Sequence, residues 1–182
     1  MIYKFTMVSD EVDDFVRVIQ LDPDATFYDF HLAILKSVGY PDDEPTAFFI
    51  CDDNWEREKE ITLEVMDDNS EEETYTMKDT KIGDMIEDEK QKLTYVFDVM
   101  TERSFFIELS SIITKKELKA PVCTHSEGNP PKQRVDFDEA AKQMNLNTSE
   151  DMGENFYGDN EYDEEDLDQE GFGLDGEDNS YE

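Results

Sequence analysis

Cysteine, histidine and long apolar runs are all scarce in this 182-residue sequence. Cys51 and Cys123 lie far apart, and with only His31 and His125 beside them they cannot form a Cys/His set with tetrahedral zinc spacing. No apolar run approaches the roughly 20 residues that span a bilayer, and the first residues lack the apolar core of a signal peptide. We therefore expect a cytoplasmic protein with reduced cysteines, no bound metal or cofactor and no membrane partner.

Basic residues are also few. The chain has 16 Lys and Arg against 49 Asp and Glu, which gives a formal net charge of -33. Such a charge repels phosphate groups, so we expect no direct binding to nucleic acid. A basic protein partner is favoured instead.

Catalytic signatures are missing as well. The sequence contains no Gly-rich phosphate loop, no Gly-x-Ser-x-Gly elbow and no Cys-x-x-Cys pair. These absences disfavour a classical kinase, hydrolase or redox enzyme, and we expect no catalytic residue.

One helix is predicted with complete start and stop signals. Thr26 and Asp29 have the spacing of a capping box, and apolar residues follow at intervals of three and four. Gly39 and Pro41 then end the pattern. The buried face of this helix is predicted to consist of Phe27, Phe30, His31, Ile34, Leu35 and Val38.

The remaining periodicity predicts about six strands and a short second helix from Thr80. The fold class is therefore α+β, with a mixed, largely antiparallel sheet, one main helix and a disordered acidic C-terminal tail. The predicted strands are Ile2–Val8, Phe15–Leu21, Thr46–Cys51, Glu60–Val65, Lys92–Met100 and Ser104–Leu109.

Composition divides the chain into three parts. Residues 1–115 form the α+β domain, and residues 116–144 an irregular extension with a possible short helix near Asp136–Met144. Residues 145–182 are rich in acidic residues and lack a regular apolar period, which predicts a disordered tail. The tail is either a solubilising appendage or a docking segment, and its docking residues would be Phe156, Tyr157, Tyr162, Leu167 and Phe172.

Three residues within the domain are candidates for a site. His31 lies on the apolar helix face, where a histidine hydrogen-bonded to a neighbouring strand is favoured over a functional one. Asp98 ends an apolar strand and needs a partner if it is buried, and Arg17 is the natural candidate. A structural Arg17–Asp98 ion pair is favoured over an active-site pair.

The helix entry and the late strand carry a family resemblance. Thr26, Phe27, Phe30 and His31 fall on a Thr-Leu-x-x-Leu-His entry, and Phe97 and Asp98 match the start of a Tyr-Asp-Phe-Gly-Asp-x-Trp strand. In these features the sequence resembles the plasmid ORF-3-like family of the Ri plasmid type, some of whose members carry the label of an insertion-element passenger protein. The second half of the strand motif is lost, because Val99, Met100, Thr101 and Arg103 replace its Phe, Gly, Asp and Trp.

The resemblance covers about Met1 to Ile113 and leaves the tail outside. It implies an α+β fold and candidate motif residues at Arg17, Thr26, His31 and Asp98, but no established reaction. The resolvase-like label would need a nucleophile on a basic DNA-binding surface, which this acidic chain lacks.

Three function classes therefore stay open. The first is a non-enzymatic protein-interaction module whose acidic tail contacts basic partners. The second is a DNA mimic that occupies the basic groove of a nucleic-acid-binding protein. The third is an enzyme with a cleft built from Arg17, His31 and Asp98. The sequence leaves the oligomeric state open.

Overall fold

An eight-stranded sheet with one long helix makes up most of the chain that is described in the computed structural model, namely residues 1–65 and 74–137. Contacts divide the chain into two units, Met1–Val135 and Asp136–Glu182, and everything below concerns the first. The predicted tail with its docking residues lies outside the described residues, as does nearly all of the predicted 136–144 helix.

The strand order across the sheet is β5-β4-β3-β6-β7-β1-β2-β8. All neighbours are antiparallel except β4 and β5, which are parallel, so the α+β class with a mixed, largely antiparallel sheet is confirmed. The strands are β1 (Ile2–Ser9), β2 (Val16–Leu21), β3 (Ala47–Cys51), β4 (Arg57–Thr62), β5 (Tyr75–Thr76), β6 (Lys92–Asp98), β7 (Arg103–Ile113) and β8 (Val122–Glu127).

Helix α1 (Phe27–Val38) begins and ends where its local signals predict. The Asp29 amide donates to Thr26 Oγ1 over 3.1 Å, and the Thr26 amide donates to Asp29 Oδ2 over 2.9 Å, so the capping box is complete. Gly39 adopts the left-handed conformation with φ 72° and ends the helix. All six residues of the predicted apolar face are buried.

The core lies between α1 and one face of the sheet. Phe30 stacks on Phe48 of β3 with ring centroids 5.4 Å apart, and it packs on Phe5 of β1 at 4.9 Å. Phe48 in turn contacts Tyr95 of β6 at 4.9 Å. Burial of these rings supplies much of the driving force for folding, since each large aromatic side chain removes an extensive apolar area from water.

Two strands are added to the six predicted, and the bounds of three strands differ from the prediction by more than one residue. β6 ends at Asp98 rather than Met100, and β7 runs on to Ile113 rather than ending at Leu109. β8 lies in the stretch predicted to be irregular, and β5 has only two residues, too few for a periodic signal. β4 ends at Thr62 rather than Val65, and Val65 is 58 % exposed instead of facing the core with Ile61. The register with β3 runs from Cys51↔Arg57 to Ala47↔Thr62, so pairing and not alternation sets its ends.

Helix α2 (Ile82–Met85) is shorter than predicted and follows Lys81 rather than a Thr80 cap. It holds the connection between β2 and α1. The Ile82 amide donates to the Ala25 carbonyl and the Gly83 amide to the Pro23 carbonyl, each over 2.9 Å. Gly83 has no side chain to clash with Pro23, whose Cβ lies 3.1 Å from the position that a Cβ on Gly83 would take.

Candidate functional site

A cleft of about 540 Å³ opens at the N-terminal end of α1. One wall is the connection from β2 to α1, and the other is the connection from β7 to β8. The antiparallel pairing of β2 with β8 brings these connections together, because Gln20 near the end of β2 lies opposite Val122 at the start of β8. The lining residues are Asp22, Asp24, Ala25, Asp29, Glu117, Leu118, Lys119, Ala120 and Pro121.

The aspartate wall of the cleft is held in place by its own hydrogen bonds. Asp22 Oδ1 accepts from the Asp24 amide over 3.0 Å, an Asx turn that follows the end of β2. Asp29 is fixed by the capping box with Thr26. The carboxylates are therefore held in fixed positions, and the backbone of this wall is also hydrogen-bonded to α2.

Carboxylates outnumber ammonium groups around the cleft. Lys81 Nζ donates to Asp24 Oδ1 over 3.1 Å in an exposed pair, and this hydrogen bond to the Asp24 carboxylate raises the Lys81 pKa. On the other wall Glu117 and Lys119 flank Leu118, which is half-buried. The cleft thus combines an acidic rim with apolar surface from Leu118, Ala120 and Pro121.

Arg17 lies elsewhere, beneath the C-terminal end of α1, and is only 4 % exposed. Its Nε donates to the Ser37 carbonyl over 3.0 Å, and its Nη1 donates to the carbonyls of Val16 and Glu127. Its Nη2 donates to the Gly128 carbonyl over 3.1 Å. Burial lowers the Arg17 pKa, yet these carbonyl acceptors compensate the guanidinium.

Asp98 pairs with Arg103 and not with Arg17, so the predicted Arg17–Asp98 pair is wrong. Asp98 Oδ2 lies 3.6 Å from Arg103 Nη1, and the carboxylate also accepts from Thr101 and the Met100 amide. Partial burial opposes ionisation of Asp98, but the hydrogen bonds from Thr101 and Met100 and the Arg103 charge outweigh it and lower the pKa. Strands β1 and β7 lie between β2 and β6, which separates the two predicted partners.

His31 is fully buried and joins α1 to the sheet. Its Nδ1 lies 2.7 Å from the Tyr95 hydroxyl on β6, and its Nε2 lies 2.9 Å from Asp42 Oδ1. Burial lowers the His31 pKa, although Asp42 opposes the shift, and burial raises the Tyr95 pKa. Neutral His31 that donates from Nε2 to Asp42 and accepts at Nδ1 from Tyr95 satisfies all three groups. The hydrogen bond to a neighbouring strand is as predicted, and a binding role for His31 stays a prediction.

The candidate residues therefore do not converge. Arg17, His31 and Asp98 each have their own partners, and the cleft that the enzyme alternative needs is not built from them. Thr26 caps α1 beside the observed cleft. Sequence reasoning missed Asp22, Asp24 and residues 117–121, because each group reads as an ordinary polar connection and only the β2–β8 pairing places them together.

Two negative findings apply to the described residues alone. In residues 1–65 and 74–137 no three His, Cys, Asp or Glu side chains are arranged to hold a metal ion. Across the same residues no helix combines the length and apolarity needed to cross a membrane.

Comparison with known proteins gives a family and a fold. The family model of plasmid pRiA4b ORF-3-like proteins matches residues 3–171, so the match extends beyond Ile113, where the resemblance noted in the sequence ends, and includes most of the tail. No curated protein matches the chain.

A crystal structure of a protein of unknown function from Methanosarcina mazei Go1 is similar in fold. The TM-score is 0.57 at 21 % sequence identity, over 69 % of this chain and 68 % of that chain. The chain belongs to the plasmid pRiA4b ORF-3-like family.

Proposed function

We propose that the protein is a non-enzymatic interaction module that binds a basic segment of a partner protein, and that the cleft at the start of α1 takes a Lys or Arg side chain of that partner. The observation that carries the proposal is the combination of an aspartate wall with an apolar wall in one cleft of about 540 Å³.

The chemistry of the two walls suits a long cationic side chain. The methylene stem of Lys or Arg packs on apolar surface while its charged end seeks carboxylates. Leu118 and Pro121 supply the apolar contact, and Asp24 and Glu117 supply carboxylates at the rim. Arg has the further advantage that its planar guanidinium bonds a carboxylate through two donors.

The charge of the whole chain favours the same class of partner. A net charge of -33 attracts basic proteins over long distances and raises the rate of their association. The acidic tail contributes to this field in our proposal, and the cleft supplies the specific contact. A cytoplasmic setting belongs to the same proposal and agrees with Cys51 and Cys123 as free thiols.

The test must distinguish binding in the cleft from attraction by the net charge of the chain. A labelled oligo-arginine peptide is titrated into the full chain and followed by fluorescence anisotropy at low and physiological salt. Asp24→Asn with Glu117→Gln removes two charges from the cleft, together with the exposed Asp24–Lys81 ion pair, and leaves the Asx turn and the capping box in place. Asp53→Asn with Glu58→Gln removes two charges from exposed positions around β4 as the matched control.

The two cleft substitutions together are expected to weaken peptide binding by about tenfold, or ~1.4 kcal/mol, and the two control substitutions by much less. Equal losses in the two pairs would assign binding to net charge alone and overturn the cleft. Displacement of the labelled peptide by a basic DNA-binding domain at concentrations far below those needed with the unlabelled oligo-arginine peptide would favour the DNA-mimic alternative instead.

A further inference from the structure

A second surface, at the opposite end of α1, holds a piece of this chain by its main-chain carbonyls. The segment Glu127–Arg134, here called the strap, leaves β8 and passes the connection that follows α1. Arg17 donates to the carbonyls of Glu127 and Gly128, and Tyr40 donates through its hydroxyl to that of Pro131.

Arg103 continues the same pattern along the strap. Its Nη2 donates to the Lys132 carbonyl over 2.7 Å, and its Nη1 donates to the Gln133 carbonyl over 3.3 Å. Five carbonyls of one short segment are therefore bonded by only three side chains of the domain. Such contacts depend on the path of the backbone and hardly on the identity of the strap's side chains.

Aromatic rings lie beneath the donors. The Tyr40 ring packs on Phe97 with centroids 5.5 Å apart and on Phe105 at 6.1 Å. The Arg103 guanidinium lies 4.9 Å from the Phe97 ring centroid. Pro131 is buried and Pro130 half-buried, and the Pro131 carbonyl accepts from Tyr40, so the Pro-Pro step lies beside these aromatic and arginine side chains. The surface formed by Arg17, Tyr40, Phe97, Arg103 and Phe105 is here called the groove.

The strap's own side chains attach it through exposed contacts. Arg134 pairs with Asp43 over 3.0 Å and also with Glu44, and the Arg134 side chain is 64 % exposed. Gln133 Nε2 donates to the Pro41 carbonyl over 3.2 Å. Exposed ion pairs contribute little to stability, so strap release does not require that a buried charge pair be broken.

Gly128 sets the turn from β8 into the groove. Its φ is 68°, and a Cβ at this position would lie 2.3 Å from the Asp14 carbonyl oxygen. The tight turn fixes the direction of the strap and leaves the residues after it as the part able to move away.

We infer that this groove is a peptide-binding site that the strap fills in cis, and that its occupant in trans is an extended, proline-containing segment of a partner protein. A segment in the polyproline II conformation presents its carbonyls outward and is bound by aromatic grooves with little loss of entropy. The strap, with its Pro-Pro step and five bonded carbonyls, occupies the groove within the chain and acts as a competitor. This site is separate from the cleft and does not rest on its function.

The probe is a labelled synthetic peptide with the sequence of Glu127–Arg134, and its control has both prolines replaced by glycine. The full-length double variant Pro130→Ser/Pro131→Ser, here called the released variant, binds its own strap more weakly and retains Arg17, Tyr40 and Arg103. We expect this released variant to bind the peptide at least about tenfold more tightly than the unaltered protein, because the cis competitor is weakened. The control peptide should bind more weakly than the probe.

Tyr40→Phe in the released variant removes the hydroxyl donor and should weaken peptide binding by about five- to tenfold, the loss of one hydrogen bond. Tyr28→Phe, a change of the same kind on α1, is the matched control and should leave binding unchanged. Equal effects of the two changes would overturn the assigned groove.

The unaltered protein provides the test if the released variant does not fold. Millimolar effective concentrations are typical of tethered segments, so several millimolar of peptide should compete with the strap. In ¹⁵N-edited spectra the amide signals of Asn129, Lys132, Gln133 and Arg134 should then move towards disordered positions, whereas Pro130 and Pro131 have no amide proton to observe. Strap signals that stay fixed throughout the titration would refute the inference.

Discussion

Removal of Arg17 is expected to destabilise the domain strongly and independently of Asp98. Arg17 is 4 % exposed, and its guanidinium donates to four carbonyls, those of Val16, Ser37, Glu127 and Gly128. Arg17→Met keeps much of the apolar stem and removes every donor. It therefore leaves four carbonyl acceptors without their donor while the loss of packing is small.

The magnitude follows from which acceptors water can reach. Glu127 and Gly128 are exposed, so their carbonyls can bond to water after the change. Val16 and Ser37 are half-buried, so water replaces the guanidinium less readily at their carbonyls. Hydrogen bonds to charged groups contribute about 1.5–3 kcal/mol each. We expect a total loss of about 3–5 kcal/mol in the free energy of unfolding, a large part of the roughly 5–15 kcal/mol of an ordinary domain.

Double-mutant cycles with Asp98 check the reasoning further. Urea unfolding by circular dichroism gives the free energies for Arg17→Met, Asp98→Asn and both changes together. Three strand spacings of about 4.8 Å put β2 and β6 roughly 14 Å apart, and changes at that distance add within about 0.5 kcal/mol. The cycle of Asp98→Asn with Arg103→Met is the positive control, since these side chains lie 3.6 Å apart.

A coupling energy above about 1 kcal/mol between Arg17 and Asp98 would refute this account, because it would require direct interaction between them. A loss below about 1 kcal/mol for Arg17→Met would show that the four carbonyl contacts do not stabilise the fold.

Three further expectations concern the core, the buried histidine and the tail. Phe30→Ala should lower the free energy of unfolding by about 3–5 kcal/mol, and an unchanged urea midpoint would contradict the central position of α1. Burial lowers the His31 pKa in the folded state, so the unfolded state binds the proton first as pH falls through about 6.5. The unaltered protein should therefore be more stable than His31→Gln by its full margin above that pH, and the margin should shrink below it. A constant advantage from pH 7.5 to 5.5 would show that His31 does not titrate differently in the two states. Truncation before Asn145 should shift the thermal midpoint by less than about 5 °C, and a larger drop would show that the tail packs on the domain.

Local signals in the sequence account for α1. Thr26, Asp29 and Gly39 act on backbone groups within one helical turn, so their effect is independent of the rest of the fold. The apolar stripe of α1 and the alternation in β1 and β6 similarly depend on periods of 3.6 and 2, which the chain displays directly. The family resemblance at Thr26 and His31 rests on the same helix entry.

Strand pairing lies outside those local signals. β5 is too short to have a period, and β8 is polar and mostly exposed, so both exist because a neighbouring strand offers hydrogen bonds. The acidic cleft follows from the same cause, since the β2–β8 pairing joins two connections that are about 90 residues apart in the sequence.

The sequence by itself therefore determined the fold class, the ends and buried face of α1, and the strongly acidic character of the surface. Only the tertiary structure decided the partners of its buried charges. Arg17 was expected to need a carboxylate and instead donates to main-chain carbonyls of α1 and the strap, whereas Asp98 pairs with Arg103 at the next strand. A charge in a sequence shows that a partner is needed, but main-chain carbonyls are present at every residue, and only the path of the backbone determines which of them reach it.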